Sequence, residues 1–477
     1  MTILDASKGY QKYFEEITKI PHGSAEEKQI SDYLVQVAHN HNLKVVQDES
    51  NNVIIYKNAS LGYEDHPAVV LQAHIDMVNE KNSSSNHNFS KDPLDLYIED
   101  GFLKAHSTTL GADDGAGVAY ILSALTDPSL KHPQLIGLFT VNEEATMEGA
   151  FNLDMSLINA KRMINIDGEE EDASTTGSAG GMDIVIHHSI TYIHAPAKGY
   201  ALSIKGLLGG HSGGEIHKER GNSNKIIARL LHQCILKGDV QLESLKGGLK
   251  INAIPREADA TFTSSLPESE VLDIINKTAI QIKKELEFTD EGLTIAIKPC
   301  TINKVLDKDV SKKIIDFLYL VPTGLRHKSD HLNGLTTSSE NIGIIDLQDE
   351  IFEFGLSVRG ALDSYVQDLA DEIQTLAKVF GFSATTENWY PAWDYMEHSP
   401  MRDLMAKVYK ETHDGKEIQM YAVHGGLECG IFKEKCPDMD IVAIGPNIYD
   451  VHTPDEKLDL KSFDRTYSFL CKYLENL

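Results

Sequence analysis

The first third of the chain alternates short apolar runs with stretches of helical spacing. Strand-like runs are "LKVV", "NVIIY", "AVVLQAHIDMV", "LIGLFTV" and "RMINID". One amphipathic helix is predicted after the capping-box pair of Ser24 and Glu27, and another near Val118 to Leu125. Continuous apolar strands separated by helices predict an α/β domain with a mixed, mostly parallel sheet covered by helices.

The middle of the chain has a different pattern. A small-residue stretch at residues 174–181, "STTGSAGG", predicts a flexible connection and a domain boundary. Beyond it, β segments such as "YALSIKGLLGG" and "EIFEFGLSVRG" alternate with helices near 226–234, 267–286 and 310–320, and with one up to 380. This order predicts an α+β domain with antiparallel strands. Because "DMDIVAIGP" returns to the first pattern, the α/β domain is predicted over residues 1–186 and 388–477, with residues 187–387 inserted.

Composition and charge limit the classes of partner and location. The 477 residues carry a formal net charge of −28, which disfavours nucleic acid and anionic membranes as partners. No apolar run approaches the ~20 residues that span a bilayer, and the N-terminal segment has acids in place of the apolar core of a signal peptide. Five scattered cysteines without CxxC spacing favour reduced thiols. A cytoplasmic protein is therefore predicted.

Three buried strands of the first pattern end in side chains of the metal-binding type. These side chains are His74, Asp76, Glu143, Glu144 and Asp167. Sites in open α/β sheets form at the carboxyl ends of the strands, so we expect these tips to converge. An alternative is that each residue is a turn or capping residue. Three consecutive strand ends of this kind favour a metal site.

Two further segments carry candidate ligands. Asp113 and Asp114 lie in "GADDGAG" at the start of a helix, where the helix dipole favours anions, and His452 lies in a polar loop after a buried strand. Histidines and carboxylates without cysteine are typical of hydrolytic zinc, manganese or cobalt sites. Two such ions about 3.5–4 Å apart can share one carboxylate and one water. The spacing therefore indicates a metal hydrolase.

Eight motifs occur in an order that resembles a known family over essentially the whole chain. They are "LQAHIDMV", "TTLGADDGAG", "TVNEEATMEGA", "INID", "GGHSGGEIHKERGN", "NAIPREA", "HGGLECG" and "VHTPDE". Together they resemble the aminoacyl-histidine dipeptidases, also called Xaa-His dipeptidases or peptidase D. That family belongs to the dinuclear zinc peptidase clan that includes carboxypeptidase G and the aminoacylases. The resemblance implies a catalytic α/β domain and an inserted α+β lid domain.

The resemblance also implies a metal-ligand set. His74 and Asp167 resemble the ligands of one ion, and Glu144 and His452 resemble those of the second. Asp113 resembles the bridging carboxylate, in a family where the next peptide bond is often cis. The implied cofactors are two divalent ions, zinc first, with manganese or cobalt as alternatives.

Other residues resemble the catalytic and substrate-binding groups of the family. Asp76 resembles the acid that orients the imidazole of a ligand, and Glu143 resembles the general base. His211 resembles a lid histidine that stabilises the oxyanion, with a histidine of a Gly-rich turn as the alternative. Arg359 could bind a substrate carboxylate or form an ordinary ion pair, and Asn252 could contact substrate or form a turn.

Two positions depart from the family pattern. Thr146 stands where the family usually has glycine after the paired glutamates, so we expect a loop of slightly different shape. Asp114 stands where many relatives have asparagine, which predicts an additional negative charge beside the metals. Glu428, in "HGGLECG", borders the substrate cleft of the family and is assigned no chemical step.

The resulting hypothesis is hydrolysis of dipeptides by metal-bound hydroxide, with Glu143 as general base and a small peptide as substrate. A preference for Xaa-His dipeptides, including β-Ala-His, rests on the resemblance alone. The alternatives are a tripeptidase or an N-acyl amino acid deacylase of the same clan, and a non-catalytic metal- or peptide-binding protein. Relatives often dimerise, so a homodimer is an option that the sequence does not decide.

Overall fold

The computed structural model of the chain describes residues 2–329, 335–348 and 350–477. These residues form two compact units. The first unit contains the segments Met1–Gly177, Tyr395–Ala422 and Glu428–Leu477. The second contains Ser178–Asp394 and Val423–Leu427. The boundaries predicted from the sequence, 186/187 and 387/388, both fall inside strands of the second unit.

Helices occur in both units, and those predicted from the sequence are present. In chain order they are α1 (Gly9–Ile17), α2 (Lys28–Asn40), α3 (Ala112–Thr126), α4 (Glu148–Asn152), α5 (Ser223–Ile235), α6 (Glu268–Glu285), α7 (Lys308–Leu320), α8 (Asp363–Val379), α9 (Pro400–Thr412), α10 (Glu428–Lys435) and α11 (Leu460–Asn476). Among the helices of the described residues, none combines the length and the apolar character that a membrane span requires.

The longest strands belong to the second unit. They are β1 (Lys44–Gln47), β2 (Val53–Lys57), β3 (Val69–His74), β4 (Leu96–Glu99), β5 (Phe102–Ala105), β6 (Leu135–Thr140), β7 (Arg162–Asn165), β8 (Ala173–Ser178), β9 (Gly180–Ser189), β10 (Tyr192–Lys205), β11 (Gly210–His211), β12 (Val240–Gly247), β13 (Ala253–Ile254), β14 (Ala258–Ser264), β15 (Thr294–Leu306), β16 (Gly324–Lys328), β17 (Thr336–Gln348), β18 (Ile351–Gly360), β19 (Ala384–Tyr390), β20 (Gln419–Val423), β21 (Asp440–Ala443), β22 (Ile448–Tyr449) and β23 (Lys457–Asp459).

A six-stranded sheet organises the first unit. Its order is β1-β2-β6-β3-β7-β21; β6, β3, β7 and β21 are parallel, and β1 and β2 join antiparallel. Every residue of β3 and β6 is buried, which explains their unbroken apolar runs. The predicted mixed, mostly parallel sheet is confirmed.

Helices supply most of the apolar core around this sheet. α3 is buried along nearly its whole length, and α11 buries one apolar face. Side chains from α1, α2 and α9 complete the same core cluster. A helix that is apolar all round belongs inside a domain, whereas one with a single apolar stripe covers its surface. The helices thus enclose the strands and leave their carboxyl ends for polar groups.

A nine-stranded sheet organises the second unit. Its main path is β15-β10-β14-β12-β17-β18-β9-β19, with β16 paired to β17. The pairings are antiparallel. α5, α6, α7 and α8 contribute side chains to its core. The α+β character predicted for this part of the chain is confirmed.

Two local predictions are wrong. The stretch 174–181 contains the boundary between the two units, at Gly177/Ser178, as predicted, but it forms buried strand β8 and the start of β9 rather than a flexible connection, because its small side chains suit closely packed backbone. Ser24 and Glu27 form no capping box at α2. Ser24 Oγ donates to Asp76 Oδ2 (2.8 Å), and Glu27 Oε1 accepts the N–H groups of Ala25 (2.9 Å) and Asn142 (3.0 Å). Both side chains thus hold the strand-end loops.

The segments that follow β7 and β21 approach each other through two glycines. The Gly168 N–H donates to the Ile444 carbonyl oxygen (3.1 Å). A Cβ at Gly168 would lie 2.7 Å from the backbone carbon of Ile444, and one at Gly445 would overlap the carbonyl oxygen of Gly168. Glycine is needed at both positions for this approach. The contact fixes the backbone directly after Asp167.

Candidate metal centre

The predicted ligands of the first unit meet at the carboxyl ends of adjacent parallel strands. His74 is the last residue of β3, Glu143 and Glu144 follow β6, and Asp167 follows β7. His74 is only 1% exposed. Because β6, β3 and β7 run in parallel side by side, their ends place these groups at one edge of the sheet.

Asp113 joins two histidine–carboxylate pairs. Its Oδ1 lies 3.1 Å from His74 Nε2, which is also 3.6 Å from Asp167 Oδ1. Its Oδ2 lies 3.1 Å from His452 Nε2, which is 2.9 Å from Glu144 Oε1. The two oxygens of one carboxylate therefore face two separate groups of potential ligands. This is the arrangement expected of a bridging carboxylate.

The two ring nitrogens of His74 face different groups. Its Nδ1 lies 3.0 Å from the backbone oxygen of Asp76 and 3.4 Å from Asp76 Oδ1. With its hydrogen on Nδ1, the imidazole would present Nε2 to a metal ion on the side of Asp113 and Asp167. The Asp76 backbone thus shares the orienting role that the sequence predicts for the side chain.

The Asp76 carboxylate has a second task that the sequence does not reveal. Its Oδ1 accepts the backbone N–H of Glu143 (2.9 Å), and its Oδ2 accepts that of Glu144 (3.2 Å). These bonds, together with the Ser24 hydroxyl, hold the pair of glutamates at the end of β6. One buried acid therefore positions a histidine on one strand and two acids on the next.

The two glutamates differ in their surroundings. Glu144 Oε1 faces His452, whereas the Glu143 carboxylate makes no hydrogen bond to a described residue. Burial raises the pKa of Glu143 well above its usual value, and the neighbouring acids Asp167 and Glu428 add to this shift. Glu143 is therefore a carboxyl that can exchange a proton, whereas the Glu144 carboxylate contacts His452.

The cluster is suited to positive charge. Hydrogen bonds from His452 Nε2 to the carboxylates of Asp113 and Glu144 raise the pKa of His452 to about 11, which makes its imidazolium form favourable there. Burial and the neighbouring Asp113 carboxylate likewise raise the pKa of Asp167, to about 6. Carboxylates that stabilise a proton on a histidine at these distances can stabilise a divalent cation in its place.

Asp114 also belongs to this cluster. It is 2% exposed, and its side chain comes together with those of His74 and Asp167 in an arrangement that could hold an ion. Its Oδ1 accepts the Gly117 N–H (3.0 Å), while its Oδ2 has no hydrogen-bond partner among the described residues. Burial raises the pKa of this carboxyl well above its usual value, which opposes the extra negative charge that the sequence predicts. The peptide bond between Asp113 and Asp114 is cis, as the resemblance implies.

Thr146 does not strain the loop after β6. The left-handed residues there are Asn142 (φ 57°) and Met147 (φ 55°), on either side of the turn. The Thr146 hydroxyl instead accepts a hydrogen bond from Asn142 Nδ2 (2.7 Å), and its N–H donates to the Asn142 carbonyl (3.1 Å). Threonine thus closes the turn where the family usually has glycine.

The predicted lid residues lie in the second unit. His211 in β11 pairs with Ala253 in β13, and the Ser212 N–H donates to the Asn252 carbonyl (2.9 Å), so the loops of His211 and Asn252 are joined. Arg359 is the penultimate residue of β18 on the large sheet. Desolvation and the positive charge of Arg359 both lower the pKa of His211.

A comparison with protein families decides the membership of the chain. Residues 70–476 match the model of peptidase family M20/M25/M40. The chain belongs to this peptidase family. The resemblance stated from its motifs is confirmed, and the protein is a peptidase.

Individual relatives agree with this assignment. The M20/M25/M40 peptidase described here is 36% identical over 468 residues to the cytosol non-specific dipeptidase of Escherichia coli, covering 97% of this chain and 96% of that one. The crystal structure of an aminoacylhistidine dipeptidase from Vibrio alginolyticus superposes with a TM-score of 0.91 at 33% identity, over 100% and 98% of the two chains. A tripeptidase from Staphylococcus aureus shares the fold at 15% identity, with a TM-score of 0.55 over 99% of both chains.

Two buried acids of this M20/M25/M40 peptidase support the centre without having been predicted to do so. Glu456, 3% exposed, accepts backbone N–H groups at the start of α3 with both oxygens. The donors are Leu110 (2.7 Å), Gly111 (3.1 Å), Ala112 (2.8 Å) and Asp113 (3.4 Å). Glu456 lies four residues after His452 in "VHTPDE", but this proximity to a predicted ligand does not indicate which backbone groups it binds.

Glu428 is the second supporting acid. Its Oε2 accepts hydrogen bonds from Thr140 Oγ1 (2.7 Å) and Gln72 Nε2 (2.8 Å), and Gln72 in turn accepts one from Asn165 Nδ2 (2.7 Å). These three partners belong to β6, β3 and β7, the strands that carry the candidate ligands. Burial raises the pKa of Glu428 to about 8. Glu428 thus links the three strand ends beneath the centre.

Proposed function

We propose that this peptidase is a dinuclear metal-dependent dipeptidase that prefers Xaa-His dipeptides, including β-Ala-His. The observation that carries the proposal is the Asp113 carboxylate, whose two oxygens face His74 and His452 separately. The dipeptidase names of the Escherichia coli and Vibrio alginolyticus relatives support the substrate class. The second of these names supports a histidine at the C-terminal position of the substrate.

The residues present fit two divalent ions. In the proposal, one ion is held by His74, Asp113 and Asp167, and the other by His452, Asp113 and Glu144. Histidine and carboxylate donors without cysteine suit zinc, with manganese or cobalt as alternatives. The position of His74 Nε2, 3.1 Å from Asp113 Oδ1, and the cluster's affinity for positive charge support this assignment. When bound, such ions supply Lewis acidity toward a carbonyl oxygen and toward water.

The chain's own residues handle the proton and the substrate. Glu143 accepts a proton from the attacking water and returns it to the leaving amine, a role that its unengaged carboxylate supports. Asp76 holds the Glu143 backbone so that the side chain stays beside the ligands. We assign His211 as a donor to the developing oxyanion, and Asn252 and Arg359 as substrate contacts, Arg359 for the C-terminal carboxylate.

The location and the assembly of the protein are part of the proposal. A cytoplasmic location is supported by the name of the Escherichia coli relative, a cytosol dipeptidase. We propose that the protein is a homodimer. We also propose that neither nucleic acid nor a membrane is its partner, which agrees with the net charge of −28. Light scattering after size-exclusion chromatography distinguishes the dimer from a monomer of 52.8 kDa.

The experiment that tests the proposal is a substrate panel on metal-free protein reloaded with zinc, manganese or cobalt. The panel contains Ala-His, β-Ala-His, Ala-Leu, Ala-Ala-His and N-acetyl-histidine. We expect hydrolysis only after reloading, with the highest kcat/KM for the two Xaa-His dipeptides. Equal rates for Ala-Leu and Ala-His would remove the histidine preference, while a preference for the tripeptide or the acetylated compound would indicate one of the alternative amide hydrolases.

A further inference from the structure

Arg359 lies in a row of residues that crosses four strands of the second unit. It pairs with Ser339 on one neighbouring strand and with Gly181 on the other, and Gly181 pairs with Tyr390 on the next. Residues directly opposite each other in antiparallel strands point to the same face of the sheet. The side chains of Arg359 and Tyr390 therefore lie on one face, separated by a position that has no side chain.

The Tyr390 hydroxyl reaches across this gap to the guanidinium. Arg359 Nη1 donates a hydrogen bond to Tyr390 Oη (2.7 Å). A Cβ at Gly181 would lie 2.5 Å from Tyr390 Oη and 2.7 Å from Tyr390 Cζ. Such distances are below van der Waals contact, so an alanine at this position would displace the ring. The glycine at 181 is what allows the contact between Tyr390 and Arg359.

On the remaining edge of the guanidinium, Nε has no hydrogen-bond partner within the described part of the chain. Arg359 is 7% exposed, and its Nε is buried without a hydrogen bond among the described residues. Asp183 is influenced by the Arg359 charge, but its carboxylate accepts a hydrogen bond from Asn388 Nδ2 (2.9 Å) and makes no ion pair with Arg359 within the described part of the chain. Burying a charge without a partner is costly, so this arrangement favours an anionic ligand.

The geometry points to Tyr390 as a positioning residue that orients Arg359 to bind the C-terminal carboxylate of the substrate. The inference rests on the proposed function, in which Arg359 contacts that carboxylate. Because Tyr390 occupies Nη1, the Nε and Nη2 donors remain as a parallel pair, which is the geometry that a carboxylate accepts in bidentate fashion. Because Gly181 has no side chain, Tyr390 can bind Nη1 and leave the Nε–Nη2 edge for the substrate.

Binding through the Nε–Nη2 edge of Arg359 should make the enzyme distinguish a C-terminal carboxylate from a C-terminal amide. A carboxylate can accept both donors of the Nε–Nη2 edge, whereas a C-terminal amide presents only one oxygen and an NH2 group that repels the other donor. The enzyme should therefore prefer Ala-His over its C-terminal amide. If Tyr390 sets the orientation of the edge, losing its hydroxyl should reduce this preference even though Arg359 remains in place.

The test compares kcat/KM for Ala-His and for Ala-His amide in metal-loaded protein. We expect Tyr390→Phe to lower the ratio of kcat/KM for Ala-His to kcat/KM for Ala-His amide about tenfold. The loss should come from a higher KM for the free acid. Gly181→Ala should lower this ratio by a similar factor, and the double variant should be no worse than either single variant, because both remove one interaction. Tyr200→Phe, at a buried tyrosine elsewhere in the same sheet, is the matched control, and its ratio should stay at the wild-type value.

Arg359→Lys separates the possible failures. If it lowers the ratio while Tyr390→Phe leaves the ratio at the wild-type value, the positioning role of Tyr390 is overturned and the carboxylate contact of Arg359 stands. If Arg359→Lys also leaves the ratio unchanged, the contact between Arg359 and the carboxylate is wrong, and the inference is overturned with it. A wild-type protein that hydrolyses no dipeptide under any metal would overturn the proposed function itself.

Discussion

The carboxylate of Asp76 accepts the backbone N–H of Glu143 at 2.9 Å. This bond connects the end of strand β3 to the loop after β6, because Asp76 follows the last residue of β3 by two positions. The same side chain lies within 3.4 Å of His74 Nδ1. Displacing one acid would therefore disturb a candidate ligand and the candidate base together.

Replacing Asp76 with asparagine tests this connection. The amide of Asp76→Asn keeps one acceptor but turns an NH2 group toward an N–H donor, which leaves buried donors facing each other. We expect metal affinity and kcat/KM to fall about 10- to 100-fold, the range found when the orienting partner of a ligand is lost. Competition with a chelating dye measures the affinity. Ser24→Ala removes a single partner of Asp76 and should have a smaller effect; equal effects would argue against the central role of Asp76.

Substitutions at Glu143 and at Glu144 should have different effects on metal binding. Glu143→Gln removes the proton acceptor but no proposed ligand, so the protein should still bind two ions while kcat falls about 10²- to 10⁴-fold. Glu144→Gln should instead weaken binding of one ion. Metal content is measured by atomic emission after dialysis, and Glu148→Gln, on the exposed first residue of α4, is the control. A Glu143→Gln protein with native kcat would rule out the proposed base.

Glu456 is predicted to maintain the position of Asp113. Its carboxylate accepts four backbone N–H groups at the start of α3, so Glu456→Gln would place an NH2 group against some of them. A lost hydrogen bond to a buried charged group costs about 1.5–3 kcal/mol. We expect a lower melting temperature and weaker metal binding in this variant. Asp455→Asn, on the exposed neighbour, should behave like the wild type in both assays. Native metal affinity in Glu456→Gln would limit the residue to a role in stability.

His424 makes the second unit sensitive to acid. Burial and the charge of Arg359 lower the pKa of His424 to about 3, against an ordinary value of 6.5. Between these values the unfolded chain binds a proton that the folded chain excludes, so the stabilisation is complete above pH 6.5 and is lost as the pH falls below it. One histidine should cost about 2 kcal/mol between pH 6.5 and pH 5.

The measurement uses urea unfolding followed by tryptophan fluorescence. Both tryptophans, Trp389 and Trp393, belong to the second unit, so their emission reports its unfolding. We expect His424→Gln to retain more of its stability than the wild type when the pH is lowered from 6.5 to 5. His194→Gln, at an exposed position of the same unit, controls for the substitution. A wild-type curve that is flat over this range would show that His424 is not buried as a neutral group.

The sequence revealed the fold and the candidate centre where local pattern carries the information. Apolar runs such as "LIGLFTV" mark both a buried strand and its end, and parallel pairing then brings the ends together. His74, Glu144 and Asp167 could be recognised for this reason. The predicted flexible stretch at 174–181 failed because small residues also occur where buried backbone segments approach closely.

Residues that act through backbone partners could not be found in this way. Glu456 binds N–H groups about 345 positions earlier in the chain, and neither its neighbours nor its spacing encodes that distance. Ser24 and Glu27 match the sequence pattern of a capping box, but their side chains form hydrogen bonds with loops that are distant in the sequence. Tyr390 was missed because its relation to Arg359 depends on a glycine in the strand between them. Such relationships exist only once the strands are paired.

The first unit is assembled from both ends of the chain, with the whole of the second unit between Asp167 and His452. During synthesis on the ribosome, four of the five proposed ligands emerge early, and the fifth emerges only after the second unit has been made. A nascent chain can therefore collect half of a centre but not a complete one. A newly made molecule would thus complete the proposed centre only after its second unit has been synthesised.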